Sequence, residues 1–230
     1  MTPAAVARLI DHTLLRPDAT RNDIERFCRE AVEHRFAAVC VNPTWLSYCA
    51  SMLAGSPVAL CTVVAFPLGA SATEVKAFEA RAAIGQGARE IDMVLNIGLL
   101  KSGDRDSVRR DIAAVVSECH QRNALCKVII ETTLLTAAEK SIASTLVMEA
   151  EADFVKTSTG TGGGGATVAD VQLIRRVVGA GMGIKASGGI RDLAAVEQLV
   201  GAGATRIGTS AGVKIVADAT TAKSAERGEN

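Results

Sequence analysis

Two lysines in this sequence each end a short apolar run, and each is followed by small residues. Lys156 ends the run FVK before TSTG, and Lys185 ends GIK before ASGG. A lysine whose amine is unprotonated can attack a carbonyl carbon and form a Schiff base. Two ammonium groups that lie close together oppose each other's protonation, so the pair predicts a lowered pKa for one of them. The chemistry indicated is covalent catalysis on a carbonyl substrate.

Other charged residues also end apolar runs. Asp92, in REIDMV, is a candidate proton donor and acceptor, although a structural carboxylate paired with a lysine is a strong alternative. Lys127 is the natural bridging partner for the aspartate and the lysine pair. A solvated rim position is the simpler interpretation for any one such residue, but their joint placement favours a site. The complete set is Asp11, Asp92, Lys127, Glu131, Lys156 and Lys185.

Short apolar runs that alternate with helix-period segments are the elements that must position these residues. Strands are predicted at 7–11, 37–41, 58–64, 90–95, 125–130, 153–156, 183–185 and 205–207. Helices are predicted at 20–34, 43–54, 72–86, 105–122, 137–149, 168–178, 193–200 and from about 210. Eight strand–helix units favour a single α/β domain, a (β/α)8 TIM barrel, over a doubly wound sheet of five or six strands. We expect the barrel to span residues 1–217 and the polar segment 218–230 to be a flexible tail.

In such a barrel the functional groups lie at the C-terminal ends of the strands, and phosphate is commonly bound by the loops after strands seven and eight. Those loops, residues 185–192 and 207–212, are rich in small residues whose backbone amides can face an anion. The pattern predicts a phosphorylated substrate, with tight turns as the alternative use of the glycines. The candidate phosphate residues are Gly188, Gly189, Gly208 and Ser210, with Thr159 and Gly160 on the other side.

A dinucleotide site is the main rival interpretation of the glycines. Gly160, Gly162 and Gly165 satisfy G-x-G-x-x-G between a strand and a helix. That fingerprint needs an acidic residue about 20 positions later, where this chain has Lys185, and too few strands follow. The segment also lacks the Gly-Lys-Ser/Thr ending of a Walker loop. We therefore expect no cofactor, and we expect residues 162–165 to serve mainly the turn into the next helix.

Composition limits the possible partners. Lys plus Arg and Asp plus Glu are equal at 25 each, so the basic excess of a nucleic-acid-binding protein is missing. The six cysteines form no C-x-x-C pair, which indicates free thiols in a reducing compartment and argues against zinc. The N-terminal sequence does not read as a signal peptide, and no apolar run reaches the roughly 18 residues of a membrane span. We expect a cytoplasmic protein that binds neither nucleic acid nor membranes.

Several segments together resemble the deoxyribose-phosphate aldolase family. They are LIDHTLL, AVCVNPTWL, VVAFPLGA, EIDMVLNIGLLKSG, KVIIETTLL, FVKTSTG, IKASGGIR and RIGTSAG, and they extend from about residue 8 to 213. The resemblance implies a lyase that reversibly cleaves 2-deoxy-D-ribose 5-phosphate to D-glyceraldehyde 3-phosphate and acetaldehyde, with no metal. It also implies a homo-oligomer, a dimer or a tetramer, because symmetric assemblies are common for such enzymes.

The resemblance assigns roles residue by residue. Lys156 looks like the Schiff-base lysine, Lys185 like the second lysine that lowers its pKa, and Asp92 like the proton-shuttling carboxylate. Lys127 matches the supporting lysine of the family. Two alternatives stay open, an aldolase acting on another phosphosugar and a non-catalytic barrel that binds a phosphorylated metabolite.

The chain departs from the family pattern in two places. Some members have a lysine after KTSTG, where this chain has Thr161, and some end in a tyrosine that folds over the site, whereas this chain ends in AERGEN. These departures concern the strength of phosphate binding and the role of the tail as a lid.

Overall fold

Eight parallel strands close into a barrel in the computed structural model, which describes the backbone of residues 1–226 and the side chains of residues 1–224. Each strand pairs with its sequence neighbours, and the eighth pairs with the first. The (β/α)8 prediction is therefore confirmed. The strands are β1 Ile10–Leu14, β2 Ala38–Val41, β3 Ala59–Val64, β4 Glu90–Val94, β5 Leu125–Ile129, β6 Phe154–Lys156, β7 Gly183–Ser187 and β8 Arg206–Thr209.

Helices surround this barrel and bury the outward faces of its strands. They are α1 Pro3–Ala7, α2 Arg21–His34, α3 Leu46–Met52, α4 Thr73–Gly85, α5 Ile97–Lys101, α6 Arg105–His120, α7 Ala137–Glu149, α8 Val168–Val178, α9 Leu193–Gly201 and α10 Gly212–Glu226. Capping agrees with the sequence: at α2 the Thr20 hydroxyl accepts from the Asp23 amide while the Asp23 carboxylate accepts from the Thr20 amide. The main apolar core lies between the strands and this helical layer.

The first strand was misplaced by the sequence prediction. A strand was predicted at 7–11, but β1 is Ile10–Leu14 and the short helix α1 precedes it. Thr2 caps α1 through the Ala5 amide, and Pro3 suits the first helical turn. The prediction ended at Asp11 because a charge was taken to close a strand, whereas this side chain lies inside the barrel.

Side chains alternate between the helical layer and the barrel interior. On β2 and β3 the interior is apolar, and it is formed by Ala38, Cys40, Cys61 and Val63. On the other strands it is charged, and these buried interior side chains include Asp11, Glu90, Asp92, Lys127, Lys156 and Lys185. Barrel interiors are usually filled by branched apolar residues, so this charged half marks the functional part of the fold.

The predicted tail is in part helical. Helix α10 continues to Glu226, nine residues into the segment 218–230, and the remainder of that prediction, residues 227–230, lies outside the described residues. Within residues 1–226, no helix is both long enough and apolar enough to cross a membrane.

Candidate active site

One carboxylate stands at the centre of the charged half of the barrel. Oδ2 of Asp92 accepts hydrogen bonds from Lys156 Nζ at 2.8 Å and from Lys185 Nζ at 2.7 Å. Its Oδ1 accepts from Lys127 Nζ at 2.8 Å. The strands dictate this convergence, because Asp92 is the register partner of Lys127, and Lys156 is the register partner of Lys185. The structure thus brings together all four residues predicted to be catalytic.

Further buried ion pairs hold Lys185 and Lys127. Lys185 also pairs with the Asp11 carboxylate. Lys127 lies 2.7 Å from Glu90 Oε2 and 3.6 Å from Asp11 Oδ2. Arg206 closes the network, with its guanidinium 2.6 Å from Asp11 and 2.8 Å from Glu90. Each of these groups is nearly or fully removed from solvent, so each depends on its partners for compensation of its charge.

The network contains one more cation than carboxylates. Its carboxylates are Asp11, Glu90 and Asp92, and its cations are Lys127, Lys156, Lys185 and Arg206. Lys156 contacts a single carboxylate within the described residues, that of Asp92, and it shares this partner with two other lysines. Lys127 and Lys185 each contact at least two carboxylates, so Lys156 is the lysine of this network whose charge has the fewest compensating partners.

The partners of Lys185 and Lys127 keep these two lysines protonated. Burial opposes their charge, but Asp11 and Asp92 together hold the pKa of Lys185 well above its usual range. Burial likewise opposes the charge of Lys127, whereas the carboxylates of Asp92, Glu90 and Asp11 raise its pKa. The lowered pKa that the sequence predicts for one lysine of the pair is therefore not found at Lys185.

The central carboxylate stays ionised for the complementary reason. Burial alone would raise the pKa of Asp92, but Lys127, Lys156 and Lys185 hold it well below its usual range. Asp92 is therefore a hydrogen-bond acceptor for the amine of Lys156 at neutral pH. Asp92 takes up a proton only after one of the neighbouring ammonium groups has lost its positive charge.

Two cysteines line the apolar side of the same cavity. Cys40 and Cys61 are register partners, and Cys61 Sγ lies 3.3 Å from Asp92 Oδ1. Both sulfur atoms and an Asp92 oxygen lie within 4.8 Å of one another, which is close enough to hold a metal ion, as are Asp11, Cys61 and Glu90. However, lysines already occupy both oxygens of Asp92, and burial raises the pKa of the Cys61 thiol well above its usual range. A metal ion would need Cys61 as a thiolate and would have to displace the lysines from Asp92. These residues therefore fit a cluster of lysine ion pairs better than a metal site.

Glu131 is the one predicted strand-end charge that does not join the network. It is 3% exposed and follows β5 with a left-handed backbone, φ +52°. Its Oε2 accepts from the Thr159 amide at 3.0 Å and also from the Thr159 hydroxyl. Both Thr159 donors are therefore committed to Glu131 and are not directed at a bound anion. The interaction ties the loop that follows Lys156 to the loop that follows β5.

The glycine-rich loops after β6 and β7 pack backbone against backbone. A Cβ atom on Gly165 would lie 2.1 Å from the Gly188 carbonyl oxygen, and one on Gly164 would lie 2.3 Å from a Thr133 methyl group. The Ala166 amide donates to the Ser187 carbonyl at 3.0 Å. The prediction that residues 162–165 serve mainly a turn was therefore incomplete, because two of these glycines are needed for close approach.

Four of the residues predicted to bind phosphate have a backbone amide that is available to a ligand. Within residues 1–226, the N–H groups of Gly160, Gly188, Gly189 and Ser210 donate to no protein acceptor. The Thr209 hydroxyl donates to the Ile190 carbonyl at 2.7 Å and so joins the loops after β7 and β8. This arrangement is consistent with the predicted phosphate cradle. Gly208 has a further reason to lack a side chain, since its Cβ would lie 3.0 Å from Lys185 Cε and 2.3 Å from Ser187 Oγ.

Sequence reasoning missed three residues of this site. Ser187, two positions after Lys185 on β7, has a buried hydroxyl without a hydrogen-bond partner among the described residues. Glu90 and Arg206 pair with each other, and they also pair with Lys127 and Asp11, respectively. Period-2 spacing was the available signal, because Glu90 shares the inward face of β4 with Asp92, and Ser187 that of β7 with Lys185.

Comparison with known proteins agrees with the geometry. The model of the DeoC/LacD family aldolase matches residues 5–218. The chain belongs to this aldolase family. A protein of Oceanobacillus iheyensis named deoxyribose-phosphate aldolase 1 is 56% identical to this aldolase over 211 residues, which cover 92% of this chain and 95% of that protein. A Brevibacillus brevis protein named deoxyribose-phosphate aldolase is 56% identical over 214 residues, which cover 93% and 96% of the two chains.

Solved structures show the same fold. A crystal structure described as a putative deoxyribose-phosphate aldolase from Coccidioides immitis superposes on this aldolase with a TM-score of 0.93 at 40% identity, covering 96% of this chain and 87% of the other. The deoxyribose phosphate aldolase from Aeropyrum pernix, described as a unique tetramer, gives a TM-score of 0.90 at 35% identity, covering 96% and 93%. The resemblance inferred from the sequence motifs is confirmed.

Proposed function

We propose that this aldolase reversibly cleaves 2-deoxy-D-ribose 5-phosphate to D-glyceraldehyde 3-phosphate and acetaldehyde through a Schiff base on Lys156. The observation that carries the proposal is the convergence of three lysines on Asp92 inside the barrel. Relatives that share more than half of its residues over nearly the whole chain are named for this reaction.

Lys156 is the proposed nucleophile, because it is the lysine of the network with a single carboxylate partner among the described residues. Its neutral amine attacks the C1 carbonyl of the open-chain sugar, and the carbinolamine loses water to give a protonated imine. The imine withdraws electrons as the C2–C3 bond breaks and the C3 hydroxyl gives up its proton, which releases glyceraldehyde 3-phosphate. The remaining enamine is protonated at C2, and water hydrolyses the resulting imine to acetaldehyde and free amine. Asp92 would move these protons, and its 2.8 Å hydrogen bond from Lys156 Nζ supports that role.

The phosphate would bind at the free amides of Gly160, Gly188, Gly189 and Ser210. Backbone N–H groups at such loops bind anions without a side-chain cation. Thr159 would support the cradle through Glu131 instead of contacting phosphate. The unpaired Ser187 hydroxyl, beside Lys185, would bind a substrate hydroxyl group.

Borohydride trapping tests the nucleophile. The aldolase is incubated with deoxyribose 5-phosphate, reduced, digested and analysed by peptide mass spectrometry, while a coupled assay follows glyceraldehyde 3-phosphate. We expect turnover and a reduced adduct on the peptide that contains Lys156. The Lys156→Arg variant should carry no adduct, and Lys214→Arg, which alters an exposed lysine in a surface ion pair, should react like the parent. An adduct on Lys185 would overturn the assignment.

We also propose that the aldolase acts as a homo-oligomer in the cytoplasm. The Aeropyrum pernix relative is described as a tetramer. All six cysteines are unpaired and buried, which suits a reducing compartment. The protein would take part in deoxynucleoside breakdown.

A further inference from the structure

The six cysteines of the chain lie in three contacting pairs, and all six are buried free thiols. The two pairs in the apolar layer between strands and helices are Cys28–Cys49 and Cys119–Cys126. The third pair, Cys40 and Cys61, faces the interior of the barrel beside Asp92. This interior pair is therefore the one that shares its surroundings with the lysine network.

The backbone holds Cys40 and Cys61 at a separation that a disulfide accepts. The two residues are register partners on the neighbouring parallel strands β2 and β3. Neighbouring strands lie about 4.8 Å apart, and a disulfide joins Cα atoms that are roughly 4.4–6.8 Å apart. The two Sγ atoms point to the same side and lie within 4.8 Å of each other. Rotation of the side chains, without a shift of the strands, can therefore bring the two sulfur atoms into bonding distance.

The two thiols have different surroundings, which assign them different roles. Cys61 Sγ donates to Asp92 Oδ1 at 3.3 Å, and burial raises the pKa of this thiol, so Cys61 keeps its proton. The neighbouring thiol, and then the ammonium groups of Lys185 and Lys156, lower the pKa of Cys40 against the effect of burial. Cys40 is therefore the better nucleophile, and Cys61 is placed to resolve what forms on it.

A small oxidant can reach this pair by the route of the substrate. Lys156 Nζ and Cys61 Sγ donate to the same carboxylate, that of Asp92, at 2.8 and 3.3 Å. This step rests on the proposed function, because a sugar phosphate that reaches Lys156 must enter the barrel interior. Hydrogen peroxide is much smaller than such a sugar. The other two cysteine pairs are enclosed by apolar side chains and do not line this cavity.

We propose that Cys40 and Cys61 form a site of reversible oxidation by a peroxide, at which a disulfide forms and lowers the aldolase activity. The Cys40 thiolate attacks one peroxide oxygen and the O–O bond breaks. The sulfur becomes a sulfenic acid, and the departing hydroxide combines with the proton that Cys40 gave up. The Cys61 sulfur then displaces the hydroxyl group, which leaves with the Cys61 proton as a second water. Two thiols are oxidised to one disulfide while the peroxide is reduced to two waters, and a dithiol reductant reverses the change.

The disulfide would alter the hydrogen bonds of the central carboxylate. In the reduced form Cys61 donates to Asp92 Oδ1 and accepts from Lys127 Nζ at 3.4 Å. A disulfide has no S–H group, and bond formation moves the Cys61 sulfur toward Cys40. Asp92 then loses one donor. We expect kcat to fall about 10-fold, the effect typical of one hydrogen bond to a charged group.

Peptide mass spectrometry tests the bond without reference to activity. The folded parent is treated with hydrogen peroxide, and its free thiols are then alkylated in denaturant. We expect a chain lighter by two hydrogen atoms, with Cys40 linked to Cys61 and the other four cysteines alkylated. Cys61→Ala should form no disulfide, whereas Cys28→Ala, which removes a thiol outside the interior, should form the same one as the parent. Six alkylated thiols, a different linked pair, or irreversible oxidation of Cys40 alone would overturn the proposal.

Kinetics on the same samples test the consequence. Peroxide should lower the kcat of the parent about 10-fold, and dithiothreitol should restore it. Cys40→Ala, which lacks the attacking thiol, should keep its own untreated kcat after peroxide. A linked pair with an unchanged kcat would refute the effect on activity. A reduced parent that forms the disulfide but does not cleave deoxyribose 5-phosphate would count against the proposed function alone, because the disulfide is scored by mass.

Discussion

At the residue scale, the site is a balance of buried charges in which Asp92 has three lysine partners and Lys156 has one carboxylate partner. Each of these groups gives up hydration, and an unpaired charge at such depth costs several kcal/mol. A surplus cation is therefore an unfavourable feature that the fold retains. Lys156 is the lysine with the fewest compensating partners, and the apolar wall around Cys40 and Val63 offers it no further charged group.

Replacing Ser187 should affect stability and substrate binding differently. Its hydroxyl is buried without a protein partner, so Ser187→Ala removes an unsatisfied group and should leave the free energy of unfolding unchanged or raise it by about 1 kcal/mol. If the hydroxyl binds substrate, the KM for deoxyribose 5-phosphate should rise about 10-fold, as expected for one hydrogen bond. Thermal unfolding and steady-state kinetics measure the two effects.

The matched control is Ser144→Ala. The hydroxyl of Ser144 is also buried, but it donates to the Lys140 carbonyl at 2.8 Å within α7, so its removal should leave the KM unchanged. An unchanged KM in Ser187→Ala would show that this hydroxyl does not contact substrate.

At the element scale, the loops after β5, β6 and β7 behave as one unit. Glu131 holds Thr159, and Gly165 rests against Gly188, so a displacement of one loop is transmitted to the others. The sequence indicated these loops through their glycines but attributed residues 162–165 to a turn. Close backbone approach depends on which loops are neighbours in space, and no local spacing rule contains that information.

Gly165→Ala should therefore disturb phosphate binding. Its Cβ would lie 2.1 Å from a backbone carbonyl oxygen that cannot move without the β7 loop. We expect a loss of about 1–3 kcal/mol of stability from overpacking. We also expect a KM that rises more for deoxyribose 5-phosphate than for unphosphorylated deoxyribose. Gly162→Ala is the matched control, since its Cβ would make an ordinary 3.5 Å contact with Glu131. Equal effects of the two variants would refute the close-packing argument.

At the scale of the whole molecule, much of the fold could be predicted from the sequence. The alternation of apolar runs and helix-period segments yields eight units, and the barrel rule then brings Asp92, Lys127, Lys156 and Lys185 together. Of these, only Lys156 ends its strand as predicted; the other three lie in mid-strand inside the barrel. The pairing of Arg206 with Glu90 and Asp11 could not be predicted, because it depends on strand register and on contacts across the barrel. The end of β1 was misplaced for a related reason, since an inward charge resembles a strand end when only hydrophobicity is considered.

The last prediction concerns the pH dependence of the stability of the whole barrel. Burial alone would raise the pKa of Asp11, but Lys185, Lys127 and Arg206 hold it well below its usual value near 3.8. A carboxylate with a lowered folded-state pKa contributes stability that is fully present above the unfolded-state pKa and is lost as the pH falls through the folded-state value. Asp11→Asn should thus cost about 3 kcal/mol at pH 7. The difference from the parent should shrink below pH 4, by at most about 1.4 kcal/mol per pH unit. Denaturant unfolding from pH 7 to pH 3 measures it, with Asp18→Asn, at a 75% exposed partner of Arg16, as a control that should change stability little. A difference that stays constant over this range would show that Asp11 does not stabilise the barrel through its charge.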